Sequence, residues 1–256
     1  MRKSFFSGTF YSSDKDELLK QFSAFNSYKN STEKQNVRAI ISPHAGFIYS
    51  GEGANMLYSL CSTKNVARVI VIGPSHKYSF KGSTICLDDS YETPFANIEI
   101  DKKYSKKLYD EFQLEYLATA HSEHSTEVQM PFIKHYLPQS KVVEIIYSDQ
   151  EVNSLSKLIT YLLKDSANLV VISSDLSHFQ SETVANKKDH NCLNAIENLE
   201  TDFLKECEAC GKIGMSALLL SAKELNLTSK IIDYRTSAKV SNNKNSVVGY
   251  GSAIFY

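Results

Sequence analysis

Three histidines stand just beyond three apolar runs, and their type and spacing suggest metal chemistry. Val37 to Ser42 is a short apolar run that stops at Pro43 and leads to His44 on a glycine-containing loop. Val66 to Gly73 repeats the pattern and ends in Pro74, Ser75 and His76. Leu169 to Ser173 repeats it again, followed by Ser174, Asp175 and, three residues on, His178. Neutral imidazole suits zinc, iron, copper or nickel. Two imidazoles at one edge of a sheet begin a transition-metal site, and Pro43 and Pro74 restrain the backbone in front of both. A third protein ligand would come from Glu123, His124, Glu127, Asp175, His178, Cys207 or Cys210. Asp175 after two serines also fits an ordinary turn. His178 is placed for another role, as general acid or base beside the metal, with Asp175 to orient it. Glu127 and His124 would support a ligating imidazole from behind, as such ligands usually require. For Glu123 and Glu127 the alternative is first-turn charge favoured by a helix dipole.

Cys207 and Cys210 form a single C-x-x-C, half of a zinc ribbon whose other half is absent. No strand immediately precedes it, as a thioredoxin-like redox pair would have. Cys210 comes just before Gly211 and a strongly apolar helix, where a thiolate is stabilised. It therefore reads as either a metal ligand or a small core residue. Cys61, Cys86 and Cys192 sit where a small buried apolar residue would serve. Five cysteines are an odd number, which argues against a complete disulfide framework. The first residues lack a signal-peptide pattern. The expectation is a cytoplasmic protein with reduced thiols. There is no G-x-S-x-G elbow and no glycine-rich phosphate loop.

In an open α/β sheet, ligands bind outside the carboxyl ends of the strands. The three histidine-bearing runs are thus predicted to be strands whose ends wall one site. Further strands are predicted near Ser83 to Leu87, at Lys141 to Tyr147, and as a closing hairpin of Ile231 to Ala238 with Ser246 to Phe255. Apolar spacing predicts helices over Asp14–Phe25, Gly53–Leu60, Asp101–Phe112, Glu123–Tyr136, Glu151–Leu163, Val184–Leu199, Thr201–Cys207 and Gly214–Leu225. Ser125 or Thr126 would cap the fourth of these. Lys29 to Asn36 reads as an exposed loop. Strand and helix alternate until the final pair, which implies an α/β fold with a mixed, mainly parallel sheet covered by helices. No linker-like shift in composition divides the chain, so residues 1–256 are read as a single domain. With 256 residues, 42% hydrophobic, a substantial core can form. A formal net charge of −1 without a long basic run removes the usual footprint of nucleic-acid binding. No stretch approaches the roughly 20 apolar residues of a membrane span.

Six motifs in order resemble the Memo family, whose bacterial and archaeal members are also called AmmeMemoRadiSam system protein B. They are S-P-H-A-G-F-I-Y-S-G at 42–51, G-P-S-H at 73–76, E-H-S-T-E-V-Q-M-P-F at 123–132, S-S-D-L-S-H at 173–178, A-C-G at 209–211 and Y-G-S at 250–252. The resemblance spans nearly the whole chain. It implies the single-domain fold of the class III extradiol dioxygenase LigB subunit and a metal pocket. By position, His44, His76 and Cys210 correspond to the metal ligands, with Asp175 and His178 beside them. The similar dioxygenases use a carboxylate as third ligand. A cysteine in its place argues against ring cleavage and admits iron(II) or copper, with zinc as a further option. The expected function is a metal-binding redox protein, an oxygen-using enzyme of non-haem-iron type acting on a small molecule. Two alternatives are a non-catalytic signalling module that captures a peptide or small anion in the same pocket, and a zinc-dependent hydrolase. A homo-oligomer is compatible with all three.

Overall fold

β-branched apolar runs build the centre of the molecule. The computed structural model describes residues 1–26, 36–62 and 65–256. In chain order the elements are α1 (Lys15–Asn26), β1 (Ala39–Ser42), α2 (Phe47–Cys61), β2 (Arg68–Pro74), β3 (Ser83–Ile85), β4 (Ser90–Tyr91) and β5 (Ile98–Glu99). Next come α3 (Lys102–Glu111), α4 (His124–Glu127), α5 (Met130–Tyr136), β6 (Lys141–Tyr147), α6 (Val152–Lys164), β7 (Asn168–Ser173) and β8 (His178–Gln180). The chain closes with α7 (Glu182–Asn198), α8 (Lys212–Glu224), β9 (Ser229–Thr236), α9 (Ala238–Ser241) and β10 (Val247–Phe255). Short 3-10 turns occupy Ala118–His121 and Phe203–Glu206.

The main sheet runs β3-β6-β2-β7-β1-β10-β8, with β9 paired to β10. Its middle is parallel: β6 with β2, β2 with β7, and β7 with β1. β3, β8, β9 and β10 pair antiparallel. Helices cover both faces, so the central strands are apolar without alternation. Ile41, Ile70, Ile72, Val170 and Ile172 pack with residues of α6, α7 and α8. Their chain neighbours Ile40, Val69, Val71, Leu169 and Val171 pack with residues of α1, α2 and α5. This is the period-two rule of a strand applied to two buried faces.

Several expectations are corrected. α2 begins at Phe47, six residues before the predicted start. The helix expected over Glu123–Tyr136 is two short helices, and Pro131 sits in the first turn of the second. Glu123, rather than Ser125 or Thr126, caps α4, accepting the Ser125 amide. The closing hairpin forms, but its connection holds α9, which ends at Asn242 in the left-handed region (φ 56°). The loop expected over Lys29 to Asn36 lies, apart from Asn36, outside the described residues. Cys192 is buried as expected, yet it is disulfide-bonded to Cys207, so not every thiol is free. Cys86 and Cys210 are not disulfide-bonded. Among the described residues no helix is long and apolar enough to cross a membrane.

Candidate metal centre

β2, β7 and β1 end side by side, so their following loops meet. β1 delivers His44 after Pro43, β2 delivers His76 after Pro74 and Ser75, and β7 delivers Ser173, Ser174 and Asp175. A third imidazole comes from His124 at the start of α4, which lies against β2. Gly73 permits that approach, because a Cβ there would fall 2.6 Å from Ser125 Oγ. One ring nitrogen from each of His44, His76 and His124 lies within 4.8 Å of the others. The ring centroids are 5.2 Å apart for His44 and His76, 5.3 Å for His44 and His124, and 4.4 Å for His76 and His124.

Hydrogen bonds decide which nitrogen of each ring is available. The Glu123 carboxylate lies within 3.0 Å of His76 Nδ1 and 2.8 Å of His124 Nδ1, and it also accepts the His76 amide at 2.7 Å. A carboxylate only accepts, so both rings carry their proton on Nδ1. Burial opposes ionisation of Glu123, but bonds from His124 and His76 outweigh it and hold the carboxyl well below its usual range. His44 Nδ1 meets Ser173 Oγ at 3.0 Å. The Ser173 hydroxyl spends its own hydrogen on the Ser125 carbonyl and accepts from Gln129 Nε2, so it also accepts from His44. Gln129 is fixed in turn by the Pro43 carbonyl and the Tyr58 hydroxyl. All three imidazoles are therefore set as Nδ1–H tautomers, leaving Nε2 to a ligand.

Cys210 approaches from the His44 side. Its sulfur is 3.2 Å from His44 Nε2 and accepts the Asp175 amide at 3.3 Å. Gly211 makes this possible, since a Cβ there would be 2.4 Å from Ser174 Cβ. Burial and the nearby Asp175 push the Cys210 thiol up to about 12. Burial, with His124 and His76 beside it, holds the His44 imidazole well below the usual histidine range. The centre is thus a pocket of imidazole nitrogens with a protonated thiol beside His44. A bound cation would have to displace the thiol proton to gain the sulfur.

The other expected residues divide. Asp175 is buried in the site, but it accepts the His44 amide at 2.7 Å, and no hydrogen bond joins it to His178 among the described residues. His178 is half-buried at the start of β8, close enough for its charge to act on both His44 and Asp175. His124, expected behind the ligands, has a ring nitrogen within 4.8 Å of those of His44 and His76. Glu127, expected to steady an imidazole, faces away. It accepts the Phe5 and Phe6 amides at 2.9 and 2.7 Å and the Tyr11 hydroxyl at 3.0 Å, and it pairs with Arg2 at 3.2 Å. Glu127 thereby straps the N-terminal segment beside the site, where the Phe6 and Phe10 rings pack 5.5 and 4.9 Å from His124. Sequence reasoning missed Ser173 and Gln129 as tautomer-setting residues. Glu123 was only a candidate ligand, and the packed E-H-S-T-E-V-Q stretch was the one signal pointing to it.

A second group, Cys86, His121 and Glu144, also has its donor atoms within 4.8 Å. It is already satisfied without an ion. His121 binds Glu144 at 2.7 Å through Nδ1 and Thr84 at 3.2 Å through Nε2. Glu144 also accepts from Thr126 and faces Arg2 at 3.9 Å. A guanidinium there repels a second cation, and the group is a buried clamp for Arg2.

A family model described as Memo-like protein matches residues 2–254. The chain belongs to the Memo-like family. Relatives of this Memo-like chain cover it almost end to end. A MEMO1 family protein of Thermoplasma volcanium is 30% identical over 99% of this chain and 98% of its own. One from Aquifex aeolicus is 33% identical over 97% and 96%, and one from Methanobrevibacter smithii 31% over 100% and 99%. The mainly parallel sheet with helices on both faces is consistent with the LigB-like fold that the motifs imply for the Memo-like family.

Proposed function

We propose that this Memo-like protein holds a redox-active transition metal, iron or copper, between His44, His76 and His124, and acts as an oxidoreductase on a small molecule. The reading rests on one observation: one ring nitrogen from each of His44, His76 and His124 lies within 4.8 Å of the others, and each ring has an acceptor beside Nδ1. Carboxylate- and hydroxyl-backed imidazoles are the usual support of a metal centre. Three imidazole nitrogens with a sulfur alongside suit borderline and soft ions better than magnesium or calcium. When bound, such an ion would supply one-electron chemistry and a Lewis-acid centre.

The chain's own residues supply the rest. Glu123 and Ser173 keep the rings oriented. Asp175 fixes the His44 backbone and, through its amide, the Cys210 sulfur. His178, half-exposed beside them, moves a proton between solvent and substrate. The N-terminal strap excludes water from the His124 side with Phe6 and Phe10.

The test is anaerobic purification with elemental analysis, followed by reconstitution with iron(II) or copper. Wild type is expected to carry one equivalent, and His44→Ala and His76→Ala to lose it. Equal metal content in wild type and His44→Ala would remove the proposal. Zinc occupancy with hydrolysis and no oxygen uptake would replace it with the hydrolase reading. Retained ligand capture by a His76→Ala, Cys210→Ser double variant would favour a binding module.

A further inference from the structure

The metal centre uses only half of the C-x-x-C motif. Cys210 stands beside His44, whereas Cys207 is bonded to Cys192 of α7. Both bonded cysteines are buried, at 0% and 4% exposure, among the apolar residues that pack under the sheet. Between Cys207 and Gly211 the chain crosses from this anchor to the centre. It is neither helix nor strand over that stretch. Its other ties are Ala209, which packs against the same apolar core, and Glu208, which pairs with Lys188 of α7. At the far end, the Gly211 amide donates to Ser174 Oγ at 2.9 Å. Cys210 itself is held by contacts of its sulfur with Asp175 and His44. On the other side of Cys207 the 3-10 turn Phe203–Glu206 follows the left-handed Leu199 (φ 54°), and its Leu204 is buried in the same core.

We infer that the Cys192–Cys207 disulfide is a positioning element for Cys210, so that the redox state of a bond outside the centre governs whether a thiol reaches it. The inference rests on the metal reading for its consequence, but not for its geometry. With the bond closed, Cys207 is a fixed point three residues from the Cys210 sulfur. Opening it restores backbone and side-chain freedom to an irregular segment, and such segments open locally at low free energy. The opening step balances with a dithiol reductant. Its first thiolate attacks one sulfur of the pair, the other leaves as a thiolate, and the reductant's second thiol closes its own disulfide. Two electrons and two protons pass to Cys192 and Cys207.

The experiment uses full-length, metal-free protein in three forms: oxidised wild type, wild type reduced with a dithiol and desalted anaerobically, and Cys192→Ala. Peptide mapping first establishes the Cys192–Cys207 bond in the oxidised form. Alkylation of Cys210 by iodoacetamide is then tracked by peptide mass. Both opened forms are expected to react at least about tenfold faster than the closed one, a factor that corresponds to modest local opening. Cobalt(II) alone is the second probe. The closed form shows a thiolate-to-cobalt charge-transfer band, the opened forms keep cobalt on the imidazoles but lose at least half of that band, and Cys210→Ser lacks it throughout. Equal alkylation rates and equal bands in the three forms would overturn the inference, as would absence of the bond from the oxidised map. If oxidised wild type binds no cobalt, the metal reading fails on its own, and the alkylation rates still decide the positioning role. Reduced wild type carries no substitution, so a folding defect of Cys192→Ala does not blur the result.

Discussion

Replacing Glu123 by Gln removes one charge and little volume, and the hydrogen bonds around the carboxylate set the consequence. It receives four donors: His76 Nδ1 at 3.0 Å, His124 Nδ1 at 2.8 Å, the His76 amide at 2.7 Å and the Ser125 amide at 3.1 Å. Gln keeps one oxygen and turns an amino group toward donors that used the other. If the oxygen stays with the two rings, the His76 amide loses its acceptor, at a cost of about 1–3 kcal/mol for a buried donor. If it turns to the His76 amide, both rings lose their anchor and are free to rotate or change tautomer. In the first case the three bonds to the retained oxygen become neutral ones, and in the second the single surviving bond does, each roughly half as strong. Loss of such a support lowers metal affinity by roughly 10–100-fold, or about 1.4–2.7 kcal/mol. Competition for cobalt(II) or iron(II) against a coloured chelator reads this directly, with circular dichroism to establish folding. Glu127→Gln is the control. Its carboxylate serves the N-terminal strap, so its metal affinity is expected to stay within about threefold of wild type while its stability falls. A folded Glu123→Gln protein with wild-type affinity would refute the claim that Glu123 sets the two rings for coordination.

Arg2→Ala leaves Glu127 and Glu144 buried without their guanidinium, and urea melts should record a loss of about 3–5 kcal/mol. Gly211→Ala places a methyl 2.4 Å from Ser174 Cβ. The expected result is about 1–3 kcal/mol lost to overpacking and a Cys210 sulfur displaced from His44, visible as faster alkylation. Acid should expose the Arg2 clamp. Burial alone would raise the Glu144 carboxyl, but His121 and Arg2 outweigh it and lower it from the ordinary 4.5. A depressed carboxyl stabilises the fold above its unfolded value and loses that contribution as pH falls through the folded one. The urea midpoint should therefore drop below pH 4.5, and Glu144→Gln should show a lower plateau and a shallower acid slope. An unchanged slope would remove Glu144 from the account.

The range of each interaction governs how much of the fold and the centre the chain itself discloses. The histidine-bearing strands are legible because their signal is local: an apolar run, a proline, then an imidazole within a few residues. Parallel neighbours must then end at one edge, so His44, His76 and the Ser173–Asp175 turn are expected together. The short strand β8 that His178 opens and the division between α4 and α5 carry weaker local patterns, and packing decided them. Glu127 looks as good a support as Glu123, since both lie at the start of the same helical stretch. They point to different partners because α4 rests against β2, with Gly73 beneath it. Type and spacing determined that imidazoles and a thiol were available, and where along the chain. Only the tertiary structure decided the tautomers, the disulfide and the strap, because Ser173 and Gln129 stand 44 residues apart, Cys192 and Cys207 15, and Phe5 and Glu127 122. Contacts across such spans leave no periodicity in the chain. They exist because packing brings a donor and an acceptor, or two sulfurs, to the same buried place.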